Sequence, residues 1–258
     1  MAFISTRLFS HVLRQHTSIH IALPDALPQP EHPWPVLYLL HGGTEDSTIW
    51  FREARIAPLA ERYNLVIVSI DAMSSSYADM EHGLNYFTYL TQELPQMIRS
   101  RLPISHRRED TLIGGFPMGG GGALKAALTC PELYGACIAM SGARDMIPMF
   151  EKWAAMENGP DLRGVEDAVG PISRMRGSRH DIVALAEKAC AFKDRLPRLF
   201  LSCGDEDYAK ELSDAYHDYL IQLGLAHDYF TAPGTHCYAF GEKALIHALN
   251  TIWKEADA

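Results

Sequence analysis

The sequence predicts an α/β fold: a mostly parallel central sheet with helices on both faces. Two observations carry this. Short apolar runs alternate with stretches of helical periodicity along most of the chain. One run, Thr111-Leu112-Ile113-Gly114-Gly115, leads through a tight turn into a glycine-rich helix start. Taken in order, residues 3–10 and 17–23 alternate as two antiparallel strands joined across Arg14-Gln15-His16, with Pro24-Asp25 ending the second. A proline-rich connector follows from Pro28 to Pro35. The remaining strand runs are Val36–Leu40, Leu65–Ile70, Thr111–Gly115, Ala136–Met140, Arg198–Ser202 and His227–Thr231. Helical periodicity covers Glu53–Tyr63, Tyr86–Arg101, Gly119–Leu128, Asp181–Lys193, Glu206–Leu223 and Glu242–Lys254. Residues 143–180 interrupt the alternation with Met146, Met149, Phe150, Trp153 and Met156. This segment is expected to be a small cap or insert, with a surface helix packed on the sheet as the alternative. No repeat or low-complexity tract appears, and residues 1–258 are expected to form a single domain.

At 258 residues, 47% hydrophobic and 21% charged, the chain can bury one large core. A net charge of −9 argues against nucleic acid or an anionic membrane as partner. The five cysteines are odd in number, contain no C-x-x-C pair and sit partly in apolar runs, which points to a reducing cytoplasm. The N-terminus lacks a signal-like apolar region, and no window approaches the ~18 apolar residues of a membrane span. The histidines His82, His106, His180 and His217 have no metal-ligand spacing, so no metal is expected. The oligomeric state is left open, a homo-oligomer included.

The run Gly115-Phe116-Pro117-Met118-Gly119-Gly120 occupies the strand–turn–helix context of a G-x-S-x-G nucleophile elbow, with proline at the central position. Such an elbow holds its central residue at strained positive φ. Proline fixes φ near roughly −65° and offers no nucleophilic atom. Pro117 therefore removes the chemistry and does not suit the usual backbone shape. The partners expected on later strand loops are present. Asp207 follows the strand Arg198–Ser202, with Asp205 as rival acid, and His236 follows the strand His227–Thr231. A carboxylate there would fix the imidazole tautomer, and the imidazole would move the proton. The loop His41-Gly42-Gly43-Thr44 after Val36–Leu40 supplies an oxyanion-hole candidate, with the N–H groups of Gly43 and Met118 as donors. Ser141 and Cys237 are weak substitutes for the nucleophile, since neither sits at the elbow.

Several segments together resemble the esterase D type of α/β hydrolase. They are Leu39-Leu40-His41-Gly42-Gly43 with Trp50, Ser76-Tyr77-Ala78-Asp79-Met80, Glu93-Leu94-Pro95, Arg108-Glu109-Asp110, the 115–120 elbow with Gly122-Ala123-Leu124-Lys125, Ser141-Gly142-Ala143, Cys203-Gly204-Asp205-Glu206-Asp207 and Gly234-Thr235-His236. Within that type the likeness is greatest to tributyrin and feruloyl esterases, with S-formylglutathione hydrolases more distant. The resemblance implies the α/β-hydrolase fold and hydrolysis of small carboxylic esters through an acyl-enzyme, with no metal or organic cofactor. Against the family pattern, Pro117 replaces serine, Gly121 replaces tyrosine or another larger residue, and Cys237-Tyr238-Ala239-Phe240-Gly241 departs from an aromatic, acidic stretch. Three functions follow as expectations: an ester hydrolase impaired at its nucleophile, a pseudo-hydrolase that binds a ligand or partner, or an enzyme using His236 as base on water.

Overall fold

Eight strands make one sheet: β1 (Ala2–Ser10), β2 (Gln15–Leu23), β3 (Val36–Leu40), β4 (Val66–Ile70), β5 (Thr111–Gly115), β6 (Ala136–Met140), β7 (Arg198–Gly204) and β8 (Asp228–Ala232). Their spatial order is β1-β2-β4-β3-β5-β6-β7-β8. β1 and β2 pair antiparallel, β2 joins β4 antiparallel, and all the remaining pairings are parallel. This is the mostly parallel sheet that the apolar runs predicted. A computed structural model describes residues 2–25 and 32–256. Residues 28–31 of the expected proline-rich connector lie outside them.

Strand alternation sorts the core into two layers. Val36, Tyr38 and Leu40 of β3 face one layer together with Val66, Val68, Ile113 and Leu201. Leu37 and Leu39 face the other with Ile67, Leu112, Ile138 and Phe200. Every residue of β3, β4, β5 and β6 is buried, as expected of parallel strands covered on both sides. Helix α5 (Met118–Thr129) and helix α8 (Ile182–Ala189) cover the first layer. Helices α1 (Ile49–Glu53), α2 (Ala57–Arg62) and α10 (Tyr238–Ala256) cover the second.

Several helical expectations are corrected, among them 181–193, where the α-helix ends at Ala189 and a 3₁₀ stretch follows. The stretch 53–63 is not one helix: α1 ends at Glu53, Ala54 is extended (φ −134°, ψ 148°), and α2 restarts with Pro58 in its first turn. The stretch 86–101 divides into α3 (Tyr86–Thr88), a π-helical turn (Tyr89–Glu93) and α4 (Leu94–Arg99). Pro95 lies at the seam, where its missing N–H interrupts the i→i−4 ladder. The turn places Glu93 under the β1–β2 hairpin. There its carboxylate accepts the His11 amide at 2.7 Å, the Val12 amide at 3.2 Å and the Ser10 hydroxyl. Helix α9 (Lys210–Gln222) starts later than its periodicity suggested. The chain between β6 and α8 folds into α6 (Ile147–Ala154), α7 (Arg163–Val169) and a short 3₁₀ turn (Ile172–Arg174).

β3 has β4 on one side and β5 on the other, so the winding direction reverses there, and a crevice opens beyond the strand ends. Leu40 pairs with Gly115 in register, so the loops that leave β3 and β5 emerge side by side. Helix α5 starts against this edge. A Cβ added at Gly119 would lie 2.3 Å from the Leu40 carbonyl oxygen, whereas one at Gly121 would meet only the Gly142 oxygen at 3.4 Å. Gly119→Ala is therefore expected to cost ~1–3 kcal/mol by overpacking. Gly121→Ala should gain up to ~1 kcal/mol from helix propensity. Urea denaturation of the two variants checks the opposite signs.

Candidate active site

Four loops meet at the carboxyl edge of the sheet. β7 and β8 end in register, with Gly204 opposite Ala232, so the loops carrying Asp207 and His236 are neighbours. The amides of Asp205 and Glu206 bond to the carbonyls of Ala232 and Gly234 and tie the two loops together. Asp207 is buried and Asp205 exposed. The Asp207 carboxylate accepts the His236 Nδ1–H at 2.8 Å and the Ala209 amide at 2.8 Å. Of the two acids weighed from sequence, Asp207 is the one beside the imidazole.

The electrostatics leave the pair as carboxylate and neutral imidazole. Burial works to raise the Asp207 pKa, but the Ala209 amide and the His236 ring outweigh it and hold the carboxyl below its ordinary value. Burial lowers the His236 pKa, helped by the Arg144 guanidinium, and the neighbouring Asp207 charge only partly offsets this. With its Nδ1–H donated to Asp207, the neutral ring presents Nε2 as an acceptor.

The Tyr208 hydroxyl lies 3.3 Å from that acceptor, within donating distance, and its ring sits against the imidazole at 4.4 Å. The Phe116 ring packs on another side of the imidazole at 4.8 Å. Arg144 stands over the Tyr208 ring at 5.5 Å. Sequence reasoning passed over Tyr208, although it directly follows the acid.

Pro117 has φ −77° and ψ −38°, an ordinary helical conformation, and caps the start of α5. The elbow has relaxed from the strained turn, as proline's ring requires. That ring lies over the loop after β3, with its Cδ 2.8 Å from where a Gly42 Cβ would stand. The Gly42 amide is occupied, donating to the Tyr238 hydroxyl at 2.9 Å. Met118, the first residue of α5, has an amide with no intrahelical acceptor. His41 is buried under the loop, and its Nε2 accepts the Ala72 amide at 2.9 Å.

Gly43, Pro117 and Met118 line one end of a cavity of about 310 Å³. Asp207 and His236 do not line it. Residues from the 143–180 segment, among them Ile147, Phe150 and Val169, form much of its wall. Ser141 is fully buried with φ +48°, and Cys237 is half-buried. Burial works to raise the Cys237 thiol pKa, but the amides of Phe240 and Ala239 and the Thr235 hydroxyl bring it below its ordinary value. His82 and His106 are exposed, and His217 bonds His227 at 2.7 Å. All five cysteines are free thiols. Among the described residues no group of three or more His, Cys, Asp or Glu could hold a metal ion, and no helix is long and apolar enough to cross a membrane.

The strand order, the reversal at β3 and the acid–imidazole pair on the last two strand loops define an α/β hydrolase. Within that class the chain belongs to the putative esterase family, whose family model matches residues 10–220. An acetyl esterase of Caldicellulosiruptor saccharolyticus is 29% identical over the full length of both chains. Among solved structures, the fluorophosphonate-binding serine hydrolase FphF of Staphylococcus aureus, with substrate bound, superposes with a TM-score of 0.88 at 26% identity, covering 97% of this chain and 98% of that one. The S-formylglutathione hydrolase FrmB of the same organism gives 0.85 at 27% identity, with 97% and 98% covered. A ferulic acid esterase shares the fold.

The Asp207 carboxylate favours the imidazolium, so Asp207→Asn should lower the His236 pKa. A Tyr208 hydroxyl that donates to Nε2 favours the neutral ring, so Tyr208→Phe should raise it. NMR titration of the ring protons checks both signs. An unmoved pKa in Tyr208→Phe would show that the hydroxyl does not donate to Nε2.

Proposed function

We propose that this chain is a carboxylic ester hydrolase scaffold of the short-chain acyl or feruloyl type, severely impaired as it stands because Pro117 occupies the nucleophile position. The observation that carries this reading is the Asp207–His236 pair, hydrogen-bonded at 2.8 Å and packed against Phe116, the residue next to that proline. Membership of the putative esterase family and the full-length likeness to an acetyl esterase support the ester as substrate class. In the complete mechanism a serine at 117 would attack the ester carbonyl. His236 Nε2 would take its proton and return it to the leaving alcohol, with Asp207 holding the tautomer. The Gly43 and Met118 amides would receive the developing oxyanion. Water would then release the acyl group by the same route.

The cavity supports a second reading, in which a ligand is bound without turnover by a pseudo-hydrolase. Gly43 and Met118 line one end of it beside Pro117, and its walls are mostly apolar. On either reading the natural ligand is a small ester or acid, the site needs no metal, and the protein acts in the cytoplasm.

Loss of a triad nucleophile costs on the order of 10⁶ in kcat. The chain should therefore hydrolyse p-nitrophenyl acetate or butyrate barely above background, and a fluorophosphonate probe should leave it unlabelled. Stoichiometric labelling at any side chain would refute the assignment. Pro117→Ser also removes the ring from over Gly42 and should restore turnover by several orders of magnitude. Because burial lowers the His236 pKa, the rate of that variant should rise with pH through a midpoint below about 6.5, as the neutral base forms. Replacing His236 in the same background should remove most of the gain. A folded Pro117→Ser variant inert towards acetyl, butyryl and feruloyl esters would transfer the conclusion to the binding reading.

A further inference from the structure

Helix α5 is buried almost all round, and one of its inward residues is a lysine. Lys125 is 6% exposed among Leu124, Ala126 and Ala127. A charge taken so far from water needs compensation. Its Nζ donates to the Ser76 carbonyl at 2.8 Å and lies 5.6 Å from the Phe87 ring centroid. Among the described residues no carboxylate lies within ion-pair distance of it. Asp79 attracts it from farther off, but that carboxylate is already engaged by the Thr88 amide at 2.8 Å and the Thr88 hydroxyl at 2.7 Å.

A second donor stands nearby. The His180 Nε2 accepts from Arg179 Nε at 3.1 Å, which leaves the ring proton on Nδ1, and that atom is buried without a partner. Burial and the neighbouring Lys125 and Arg179 charges bring the His180 pKa down to about 4, so the ring is neutral at pH 7. Lys125 and His180 both line the 310 Å³ cavity that begins at Pro117, and both line an adjoining cavity of about 210 Å³. The carboxylates of Asp145 and Asp181 also border the larger cavity, but they are bound by Arg176 at 2.8 and 3.3 Å. Arg144 is committed to the Ser141 carbonyl at 2.8 Å. The cavity therefore offers two donors, one of them an amine that can carry charge, whose only hydrogen-bond acceptor among the described residues is the Ser76 carbonyl.

The geometry points to a carboxylate-binding subsite at Lys125 and His180, so that the ligand of this cavity is an ester whose acyl chain ends in a carboxylate, a dicarboxylic half-ester. This rests on the ester-binding reading above and adds its substrate class. A carboxylate accepts from both groups and neutralises the ammonium, while a hydroxyl would bring a donor of its own to a place already rich in donors. Burial lowers the Lys125 pKa to about 7, against the pull of Asp79. A bound carboxylate would favour the ammonium, so binding near neutral pH takes up protons.

The test is calorimetric titration of the unaltered protein at pH 7 with the monomethyl esters of succinic, glutaric and adipic acid. Uncharged methyl esters of matched length serve as controls. At least one half-ester should bind about tenfold or more tightly than its uncharged counterpart, as one charge-assisted hydrogen bond provides. Its heat should vary with the ionisation enthalpy of the buffer. Lys125→Met should bring the ratio close to unity and abolish the buffer dependence. Should Lys125→Met not fold, because it also releases Ser76, His180→Phe keeps that tie and should still lower the ratio several-fold. Uncharged esters that bind as tightly as half-esters would overturn the subsite and leave the ester-binding reading standing. Failure of both classes to bind would overturn the two together.

Discussion

The carbonyl of Leu40, the last residue of β3, fixes the geometry at the carboxyl edge of the sheet. It accepts the Trp50 indole N–H at 3.0 Å and the Phe116 amide at 3.3 Å, and the backbone of Gly119 rests directly against it. One oxygen thus sets the positions of α1, the β5 turn and the first turn of α5 relative to β3. The approach is closer than any side chain at 119 permits, so Gly119 serves packing first. The same contact places the start of α5 beside the His41–Gly43 loop, where its unpaired amides can act on a ligand.

The acid–imidazole pair is built independently of this junction. Asp207 is oriented by the Ala209 amide, and His236 by Asp207, Phe116 and Tyr208; no hydrogen bond of the pair runs through residue 117. A proline at that position therefore leaves the pair assembled, because the pair is held by the loops that leave β7 and β8. Tyr238 links the halves from the other direction. It stands edge-on to Trp50 at 4.9 Å and receives the Gly42 amide, so the α10 start and the loop after β3 hold each other.

Strands buried on both faces were legible residue by residue, since continuous apolar runs leave few alternatives: β3, β5 and β6 have the bounds their hydrophobicity suggested. Helices were legible where periodicity acted alone and less so where proline intervened. The break at Ala54, ahead of Pro58, and the π-helical turn ahead of Pro95 fall inside stretches whose apolar spacing still looked continuous. The loop positions of Asp207 and His236 followed from strand order, but the partner of Nε2 did not. Tyr208 carries no pattern of its own, and its role depends on the angle at which the β7 loop meets the β8 loop. The donors of the proposed subsite were equally hidden. His180 was passed over as a histidine without ligand spacing, and Lys125 entered only as part of a helix and of the family resemblance.

Tyr208 is 69% exposed, yet its ring covers the one nitrogen through which His236 could exchange a proton with a ligand. No backbone hinge is needed to uncover it. Exposed side chains change rotamer in picoseconds to nanoseconds, whereas loops and domains take far longer. Under the function proposed above, access to His236 Nε2 turns on the rotamer of one exposed side chain, a motion of that fast class.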